Sequence, residues 1–419
     1  MKEILVNTPE YNIASRMRSV SSSAIRDLLK HACEPGMISM AGGLPAPALF
    51  DLEGLSAASA EVMRDAPLAA LQYGVTSGQP DLREALVKLM ATRGVTVEAD
   101  RMIITTGSQQ GIDLMARVML DKGDIVCLER PSYLAAIQTF ALAEAGFVGV
   151  GMDESGMQVD ELEHLLAQSK RKPKLIYTVP TFANPSGATL ALERRKKLLH
   201  LAVKHEVFII EDDPYGELRS RGQPLPPLIA LAKDIPGAQA WCGYLSTLSK
   251  ILAPGFRIGW LILPPALRDF AEIAKQGMDL HTSTFTQAVA ARYLASARLS
   301  QRLPAIRASY KERNEALAAA LKRHLDGALS YVQPEGGMFL WAKWNDSSIN
   351  STALLDYAIA EKVIFVPGEH FYATAPEKHT IRLSFATPSP EQLDEATRRL
   401  AAALEKMLAA KSVKAARAA

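Results

Sequence analysis

The chain of 419 residues has only three cysteines, Cys33, Cys127 and Cys242, and they lie far apart in the sequence. Three scattered thiols do not suit a disulfide framework or a structural zinc site, and such sparing use of cysteine is typical of the reducing cytoplasm. The eight histidines are dispersed as well, and no pair has a metal-ligand spacing such as H-E-x-x-H. The sequence therefore predicts no resident metal ion.

Charge of one sign is not in excess, because 47 basic residues are balanced by 45 acidic ones and the formal net charge is +2. We therefore expect no basic surface for nucleic acid or for an anionic membrane. Long apolar runs are missing too, since no window approaches the roughly 18 apolar residues of a membrane span. Residues 1–22 also lack the apolar stretch of a signal peptide. These absences favour a cytoplasmic protein that binds neither nucleic acid nor membranes.

The residues that are present make an ordinary globular composition, with 48% apolar and 22% charged residues. Between about residues 100 and 265, short β-rich runs alternate with longer helical patterns. Alternating strands and helices build a mostly parallel sheet with helices on both faces, so we expect an α/β fold. The expected strands are residues 102–105, 124–128, 175–179, 207–210 and 257–263, and the expected helices include residues 109–120, 132–145 and 192–205.

The pattern changes near residue 300 and predicts a smaller α+β domain. The elements expected there are helices at about 305–325, 352–361 and 389–409, strands at about 330–332, 337–342, 363–366 and 380–386, and a fraying Ala/Lys-rich tail at 409–419. We therefore expect three parts of the chain. Residues 1–45 form an N-terminal arm and helix that belongs to the small domain and covers the site, residues 46–300 form the large domain, and residues 301–419 form the small domain.

Lys250 lies among small hydroxyl residues and apolar neighbours in the segment 244–260. Desolvation lowers the pKa of a lysine and makes its amine nucleophilic, which suits a Schiff base with a carbonyl substrate or with pyridoxal phosphate. Arg257 follows seven positions later and could pair bidentately with a phosphate. Taken alone, the segment also fits a solvated lysine in a loop.

Three further polar segments lie where strands are expected to end, which is where ligands bind to open parallel sheets. Asp212 could hold a pyridinium nitrogen and Tyr215 a phenolic oxygen, although the acidic segment also fits a turn or helix cap. Ser108 and Gln109 begin a helix whose N–H groups favour a phosphate, although an ordinary N-cap has the same pattern. Asn184 could bond the same phenolic oxygen, although Asn-Pro-x-Gly is also a good turn.

In their order and spacing, these residues resemble the motifs of fold-type I pyridoxal-phosphate enzymes, specifically the class I and II aminotransferases of the aspartate aminotransferase superfamily. The resemblance covers nearly the whole chain and is closest to the 2-aminoadipate aminotransferase branch, with its LysN-like and kynurenine/aminoadipate enzymes. The strings that carry it are 41–47 (AGGLPAP), 71–74 (LQYG), 106–110 (TGSQQ), 129–133 (ERPSY), 279–282 (DLHT) and 336–340 (GGMFL). It implies a fold-type I PLP-transferase with pyridoxal 5'-phosphate bound to the large domain.

The resemblance also implies roles for individual residues. Lys250 becomes the Schiff-base lysine and then the general acid and base, Asp212 keeps the pyridine nitrogen protonated, and Tyr215 and Asn184 bond the phenolic oxygen. The other cofactor contacts implied are Tyr133 on the ring and, at the phosphate, Ser108, Gln109, Thr247, Ser249, Arg257 and Tyr73. Tyr73 would come from the neighbouring subunit, which implies a homodimer with a composite active site. The branch often has Ser-Phe-Ser-Lys where this chain has Thr247-Leu-Ser-Lys, and threonine keeps the hydroxyl.

Substrate contacts follow from the same resemblance. Arg382 is similar to the arginine that binds the substrate α-carboxylate. The resemblance also implies that Asn184 contacts the substrate and that the backbone of Gly43 approaches it. A planar guanidinium suits a bidentate carboxylate, although Arg382 alone also fits an edge strand facing solvent. Ser23 and Arg26 correspond to residues of a mobile helix that recognise a distal carboxylate, although they also fit a capped amphipathic helix with a solvated arginine.

The function expected is transfer of an amino group between an L-amino acid and a 2-oxo acid such as 2-oxoglutarate, in a ping-pong reaction. The donor expected is 2-aminoadipate, glutamate or one of a broad range that includes aromatic and branched amino acids. Two alternatives stay open at this point. An enzyme of the same fold with lyase, decarboxylase or oxidase chemistry would keep the same lysine and aspartate. A transcriptional regulator would carry this domain behind a winged helix, for which the roughly 40 residues before Ala41 are too few.

Overall fold

The structure is a computed structural model that describes residues 11–18, 28 and 30–418. Its strands, numbered in chain order, are β1 (Ile38–Ser39), β2 (Met102–Thr106), β3 (Ile125–Arg130), β4 (Gly146–Asp153), β5 (Gly156–Met157), β6 (Leu175–Thr178), β7 (Phe208–Asp212), β8 (Cys242–Thr247), β9 (Ile258–Ile262), β10 (Leu329–Tyr331), β11 (Phe339–Trp344), β12 (Val363–Ile364), β13 (Val366–Pro367) and β14 (Thr380–Ser384). The main α-helices are α1 (Ser15–Arg18), α2 (Leu52–Asp65), α3 (Pro67–Leu71), α4 (Pro80–Ala91), α5 (Ser108–Met119), α6 (Leu134–Leu142), α7 (Val159–Gln168), α8 (Leu192–His205), α9 (Leu228–Leu231), α10 (Pro265–Asp279), α11 (Thr284–Ala295), α12 (Arg298–His324), α13 (Ser351–Ala360) and α14 (Pro390–Ala418).

The large sheet has the strand order β2-β9-β8-β7-β6-β3-β4-β5. Strands β8, β7, β6, β3 and β4 pair in parallel, whereas β9 runs antiparallel to both of its neighbours and β5 runs antiparallel to β4. The expected α/β fold with a mostly parallel sheet is therefore confirmed. In such a sheet the carboxyl ends of the parallel strands share one edge, and the segments that follow them are brought together there.

The central strands are buried on both faces, because successive side chains point to opposite sides of a sheet. In β7, Phe208 and Ile210 belong to one hydrophobic core and Ile209 to the other. The second core is closed by the helices α7 and α8. Continuous apolar runs such as Phe-Ile-Ile in β7 are explained by this burial on both sides.

A second sheet is formed by the C-terminal part of the chain, in the antiparallel order β10-β11-β14-β13. Helices α12 and α14 pack against each other beside it. The N-terminal strand β1 pairs in parallel with β12, and the backbone N–H of Ser384 donates to the carbonyl of Met40 at 2.7 Å. Residues 38–40 are thereby bound to β12 and β14, although they are far from both strands in sequence.

Some elements differ from the expectations. Strands β4 and β8 were not predicted, because glycines interrupt the apolar pattern of β4 and polar residues interrupt that of β8. Helix α12 starts before Pro304 and passes through it, held by the buried Leu299 and Leu303, and the expected domain boundary at residue 300 falls inside this helix. Helix α14 does not end near residue 409 but continues to Ala418, consistent with the high helix propensity of its alanines and lysines.

Within the described ranges, no helix is both long enough and apolar enough to cross a membrane.

Candidate active site

A cavity of about 810 Å³ lies at the carboxyl edge of the large sheet. Its walls come from segments that directly follow strands β2, β3, β6, β7 and β8, together with residues of the C-terminal sheet. Of the residues that the sequence suggested, those lining the cavity are Gly43, Ser108, Gln109, Tyr133, Asn184, Asp212, Tyr215, Thr247, Ser249, Lys250, Arg257 and Arg382. The fold therefore gathers into one place residues that span most of the chain.

Lys250 enters the cavity from a single 3₁₀ turn, Leu248–Lys250, that follows β8. Its Nζ donates a hydrogen bond to the carbonyl of Gly43 at 2.9 Å. Burial lowers the pKa of the ammonium to about 8, assisted by the positive charges of Arg382 and Arg257 and opposed by Asp212. A substantial fraction of the amine is then neutral near pH 8, which is the nucleophilic form.

Asp212 is the last residue of β7 and is buried. Its Oδ2 accepts a hydrogen bond from the hydroxyl of Tyr177 at 2.6 Å, whereas its Oδ1 is buried with no hydrogen-bond partner in the described part of the chain. Burial raises the pKa of this carboxyl to about 7, against the effect of the Tyr177 hydrogen bond. A buried oxygen without a partner is costly, so Asp212 is prepared to receive a donor inside the cavity.

Arg382 lies in the middle of β14 and is buried rather than facing solvent at an edge. Its Nη1 donates to Oδ1 of Asn184 at 2.8 Å and its Nη2 to the carbonyl of Ala41 at 2.6 Å. The guanidinium carbon lies 4.2 Å from the ring centre of Phe339 and 4.8 Å from that of Phe371. Burial lowers the pKa of Arg382 to about 10, and the group is still cationic at neutral pH. These contacts fix the plane of the guanidinium.

Two hydroxyls and an arginine form one end of the cavity. Oγ1 of Thr247 lies 2.8 Å from Oγ of Ser249 and donates to the carbonyl of Ile258 at 2.8 Å. Arg257 has a left-handed backbone, with φ of 54°, and its Nη2 donates to the carbonyl of Thr106 at 3.2 Å. A guanidinium and hydroxyls beside a helix start are the groups that bind phosphate in proteins.

Gly107 brings Arg257 close to this helix start. Its φ is +76°, and a Cβ at this position would lie 2.4 Å from Nη2 of Arg257. Ser108 is the first residue of α5, so its backbone N–H belongs to the unpaired first turn of the helix. The glycine therefore lets the guanidinium and the helix N-terminus face the same small volume.

The remaining predicted residues line the walls. Tyr133 is half-buried and lies directly before α6. Gln109 donates from Nε2 to Oγ1 of Thr139 at 2.7 Å. Tyr215 is buried, shares a hydrogen bond with Asn184 and meets the ring of Phe339 edge-on, with 6.0 Å between ring centres. Burial raises the pKa of the Tyr215 phenol, which therefore keeps its proton at neutral pH.

Tyr73 is not among the lining residues. It is 78% exposed, and its ring meets that of His281 edge-on at 5.7 Å. The phosphate contact expected of Tyr73 is with the site of a neighbouring subunit, not with the site of its own chain. Ser23 and Arg26, suggested for a distal carboxylate, lie outside the described residues.

Several contacts of the site were missed from the sequence. Tyr177, which bonds Asp212, lies within the apolar strand β6, where a tyrosine is not distinguishable from a core residue. Phe339 and Phe371 pack against Arg382, and neither was assigned a role from the sequence, although Phe339 lies in the string 336–340. The one available signal for a contact of Tyr177 was the tyrosine itself, because its hydroxyl needs a hydrogen-bond partner when it lies in a buried strand.

Comparison with known proteins identifies the family. The family model described as "Aminotransferase class I and II" matches residues 53–400 of this chain. The chain therefore belongs to the class I and II aminotransferases.

The relatives match this chain over nearly the whole length of both proteins. Aromatic-amino-acid aminotransferase 1 of Thermococcus litoralis is 41% identical over 94% of this chain and 94% of its own length. The 2-aminoadipate transaminase of Thermus thermophilus is 38% identical over 93% of this chain and 96% of its own length. The crystal structure of LysN, an alpha-aminoadipate aminotransferase from Thermus thermophilus complexed with N-(5'-phosphopyridoxyl)-L-leucine, is 37% identical with a TM-score of 0.87, covering 95% of this chain and 98% of that one.

Proposed function

We propose that this aminotransferase moves an amino group between an L-amino acid and a 2-oxo acid such as 2-oxoglutarate, in a ping-pong reaction that uses pyridoxal 5'-phosphate bound at Lys250. One observation carries the proposal. The lysine with a lowered pKa, the buried aspartate with an oxygen lacking a partner, and the buried arginine held between two phenylalanines line the same cavity.

The residues of the cavity fit pyridoxal phosphate. Oδ1 of Asp212 needs a donor, and a protonated ring nitrogen is one. The assignments proposed are Asp212 for the ring nitrogen, Asn184 and Tyr215 for the phenolic oxygen, Tyr133 for the ring face, and Ser108, Gln109, Thr247, Ser249 and Arg257 for the phosphate. The positive charges of Lys250, Arg382 and Arg257 exceed the single negative charge of Asp212, which suits an anionic cofactor and substrate.

When bound, pyridoxal phosphate supplies an electron sink for the electrons released at the substrate Cα. Lys250 would act as the base that takes the proton from the substrate Cα and as the acid that gives it back, since its pKa of about 8 lies near neutral pH. Arg382 orients the substrate by its α-carboxylate. Asn184 holds Arg382 and Tyr215 in place.

For the substrate, we propose 2-aminoadipate or glutamate as donor, with a broad range that includes aromatic and branched amino acids. The names of the two relatives above support 2-aminoadipate and aromatic amino acids. The apolar side chains of Leu44, Leu142 and Phe339 line the same cavity and suit aromatic or branched side chains. Ser23 and Arg26 remain the proposed contacts of a distal carboxylate.

We also propose that the enzyme works as a cytoplasmic homodimer in which Tyr73 reaches the phosphate site of the neighbouring subunit. Tyr73 is largely exposed, and Leu68, Leu71 and Val75 near it are exposed as well. These exposed apolar side chains close together in sequence support the proposal that a second subunit covers this surface, because large apolar patches are uncommon on proteins that work as monomers.

The test is the visible absorbance of the protein reconstituted with pyridoxal phosphate, while single amino acids are added. The expected result is a yellow band that bleaches with glutamate or 2-aminoadipate, returns with 2-oxoglutarate, and releases one 2-oxo acid per bleached site. Lys250→Ala should lose the band and nearly all turnover, whereas Lys343→Ala, with a half-exposed side chain paired to Glu377, should keep both.

Two results would contradict the proposal. A band that shifts without bleaching, with no 2-oxo acid formed, would indicate lyase, decarboxylase or oxidase chemistry instead. The absence of any band in the wild-type protein would show that Lys250 does not bind the cofactor.

A further inference from the structure

Lys275 is a fully buried lysine outside the cavity, on the inner side of α10. From it a network of hydrogen bonds extends to Thr106, the residue before Gly107, which in turn precedes the first residue of α5. We propose that Lys275, Asp279 and Gln110 are positioning residues that hold the phosphate-binding end of the active site in shape. This inference rests on the proposed function.

The Lys275 ammonium has several acceptors. Its Nζ donates to Oδ1 of Asp279 at 2.7 Å, to Oε1 of Gln110 at 3.0 Å and to Oγ1 of Thr282 at 3.1 Å. Its side chain has no exposed surface, while that of Asp279 is about one quarter exposed. Asp279 and Thr282, the two ends of a string that the resemblance singled out without a role, thus both bind this ammonium.

The network reaches Thr106 at two points. Oε1 of Gln110 accepts from the backbone N–H of Thr106 at 2.7 Å. Oδ2 of Asp279 accepts from Oγ1 of Thr106 at 2.9 Å and from Nε2 of Gln110 at 2.7 Å. The backbone N–H and the hydroxyl of Thr106 therefore donate to Gln110 and Asp279, and both of these side chains also accept from Lys275.

Thr106 is in turn the residue that connects the network to the cavity. Its carbonyl accepts from Nη2 of Arg257 at 3.2 Å, and the next two residues are Gly107 and Ser108. With its N–H, hydroxyl and carbonyl all bonded, Thr106 fixes both the guanidinium of Arg257 and the first N–H groups of α5. A shift of Thr106 would displace the two phosphate-binding groups together.

Stability alone does not account for such a pair. Removing two charges from water costs several kcal/mol, and apolar residues of similar volume often replace a buried ion pair at no loss. The opposite charges of Lys275 and Asp279 largely cancel at a distance, so the pair contributes little long-range potential at the phosphate site. What the pair provides is a fixed position for the polar groups that it binds.

The experiment compares two ligands of the apoprotein, pyridoxal 5'-phosphate and pyridoxal, by absorbance titration. Both carry the aldehyde and the ring, and only the first carries the phosphate. In the double variant K275M/D279L, affinity for pyridoxal phosphate should fall by about 10- to 100-fold, in line with losses seen when supporting contacts or positions are disturbed. Affinity for pyridoxal should stay within about twofold, because the ring and Lys250 are not touched.

The matched control is R268M/E272L. Arg268 and Glu272 form another ion pair with the i,i+4 spacing on the same helix, at 2.7 Å. This control should leave both affinities unchanged. Thr106→Val is a second test variant of nearly the same side-chain volume. It replaces with a methyl group the hydroxyl that donates to Asp279 and lies 3.1 Å from the Thr282 hydroxyl, and it should lower the affinity for the phosphorylated ligand alone.

The outcomes separate the hypotheses. An equal fall in both affinities, or no fall in either, would overturn the positioning role. If K275M/D279L does not fold, Thr106→Val decides in the same way. If the wild-type protein binds pyridoxal but shows no preference for the phosphorylated form, the phosphate assignment itself is wrong, whereas failure to bind either ligand would overturn the proposed function.

Discussion

Nη1 of Arg382 lies 2.8 Å from Oδ1 of Asn184, so that a strand of the C-terminal sheet and a loop of the large sheet meet in one hydrogen bond. Nε of Arg382 is buried without a hydrogen-bond partner in the described part of the chain. The guanidinium carbon lies over the rings of both Phe339 and Phe371. The group is therefore fixed in orientation before any carboxylate arrives, which reduces the entropy lost on binding.

Arg382→Lys should lower kcat/KM for L-amino acids by about 100-fold, because lysine keeps the charge but not the planar fork. A loss of about 2–4 kcal/mol is expected when one partner of a buried charged contact is removed. The measurement is kcat/KM with glutamate and with an aromatic amino acid. Arg219→Lys is the matched control, since Arg219 also stacks on a phenylalanine, at 4.7 Å, and pairs with Glu335. Activity of Arg382→Lys within about fivefold of wild type would contradict the carboxylate role.

Gly107→Ala and Gly94→Ala should differ in cofactor affinity. The two glycines have similar backbones, with φ of +76° and +77°, but a Cβ would meet Arg257 at the first and nothing within 4 Å at the second. Both variants should lose about 1–2 kcal/mol of folding stability from left-handed strain. Only Gly107→Ala should also lose affinity for pyridoxal phosphate, by roughly tenfold or more, since Arg257 must move. Similar affinities in the two variants would show that Arg257 is not a phosphate ligand.

The rate at which the apoprotein captures pyridoxal should rise with pH and level off above about pH 8. The pKa of Lys250 is lowered to about 8, so the neutral amine is scarce below that pH and predominant above it. Arg382→Leu should move the midpoint upward, because it removes one of the positive charges that lower this pKa. Stopped-flow absorbance over about two pH units on either side of the lowered pKa of Lys250 measures both midpoints. A midpoint that moves downward would contradict this account.

Asp212→Asn should stabilise the apoprotein at about pH 8 but not at about pH 4. Burial raises the pKa of Asp212 to about 7 in the folded chain, above its value of about 4 when unfolded. The folded state therefore binds the proton more tightly, and its stability falls as the pH rises from about 4 to about 7. The amide removes this loss, which thermal melts of the apoprotein measure.

Asp124→Asn is the control of opposite sign. Hydrogen bonds from Lys174 and from the backbone of Asp121 lower the pKa of Asp124, so the ionised form stabilises the fold at neutral pH. This variant should melt at a lower temperature than the wild type at about pH 8. A stabilisation of similar size in both variants would mean that the burial of Asp212 is not the cause.

The sequence was informative where chemistry requires one residue type at one place. Lys250 and Asp212 stand out because they lie at or just after the ends of apolar strands, where ligands bind to open parallel sheets, whereas Arg382 lies in the middle of β14 and was assigned only through the family resemblance. The expected helix at 192–205 agrees with α8 because a periodic apolar pattern defines it. Strand β4 was missed because three glycines replace the expected side chains. Tyr177 and Lys275 were missed because their roles come from contacts with residues that are distant in sequence, and no local pattern records such contacts.

The hydrogen bonds that Lys250 and Arg382 make with the carbonyls of Gly43 and Ala41 span 207 and 341 positions of the chain. Contacts of such long sequence separation form late, because the entropy of closing the intervening loop must be overcome first. On the ribosome, the cavity has no complete wall until β14 has been synthesised and has paired with β11. The surroundings that lower the pKa of Lys250 include the charge of Arg382, so they are complete only after β14 has been synthesised.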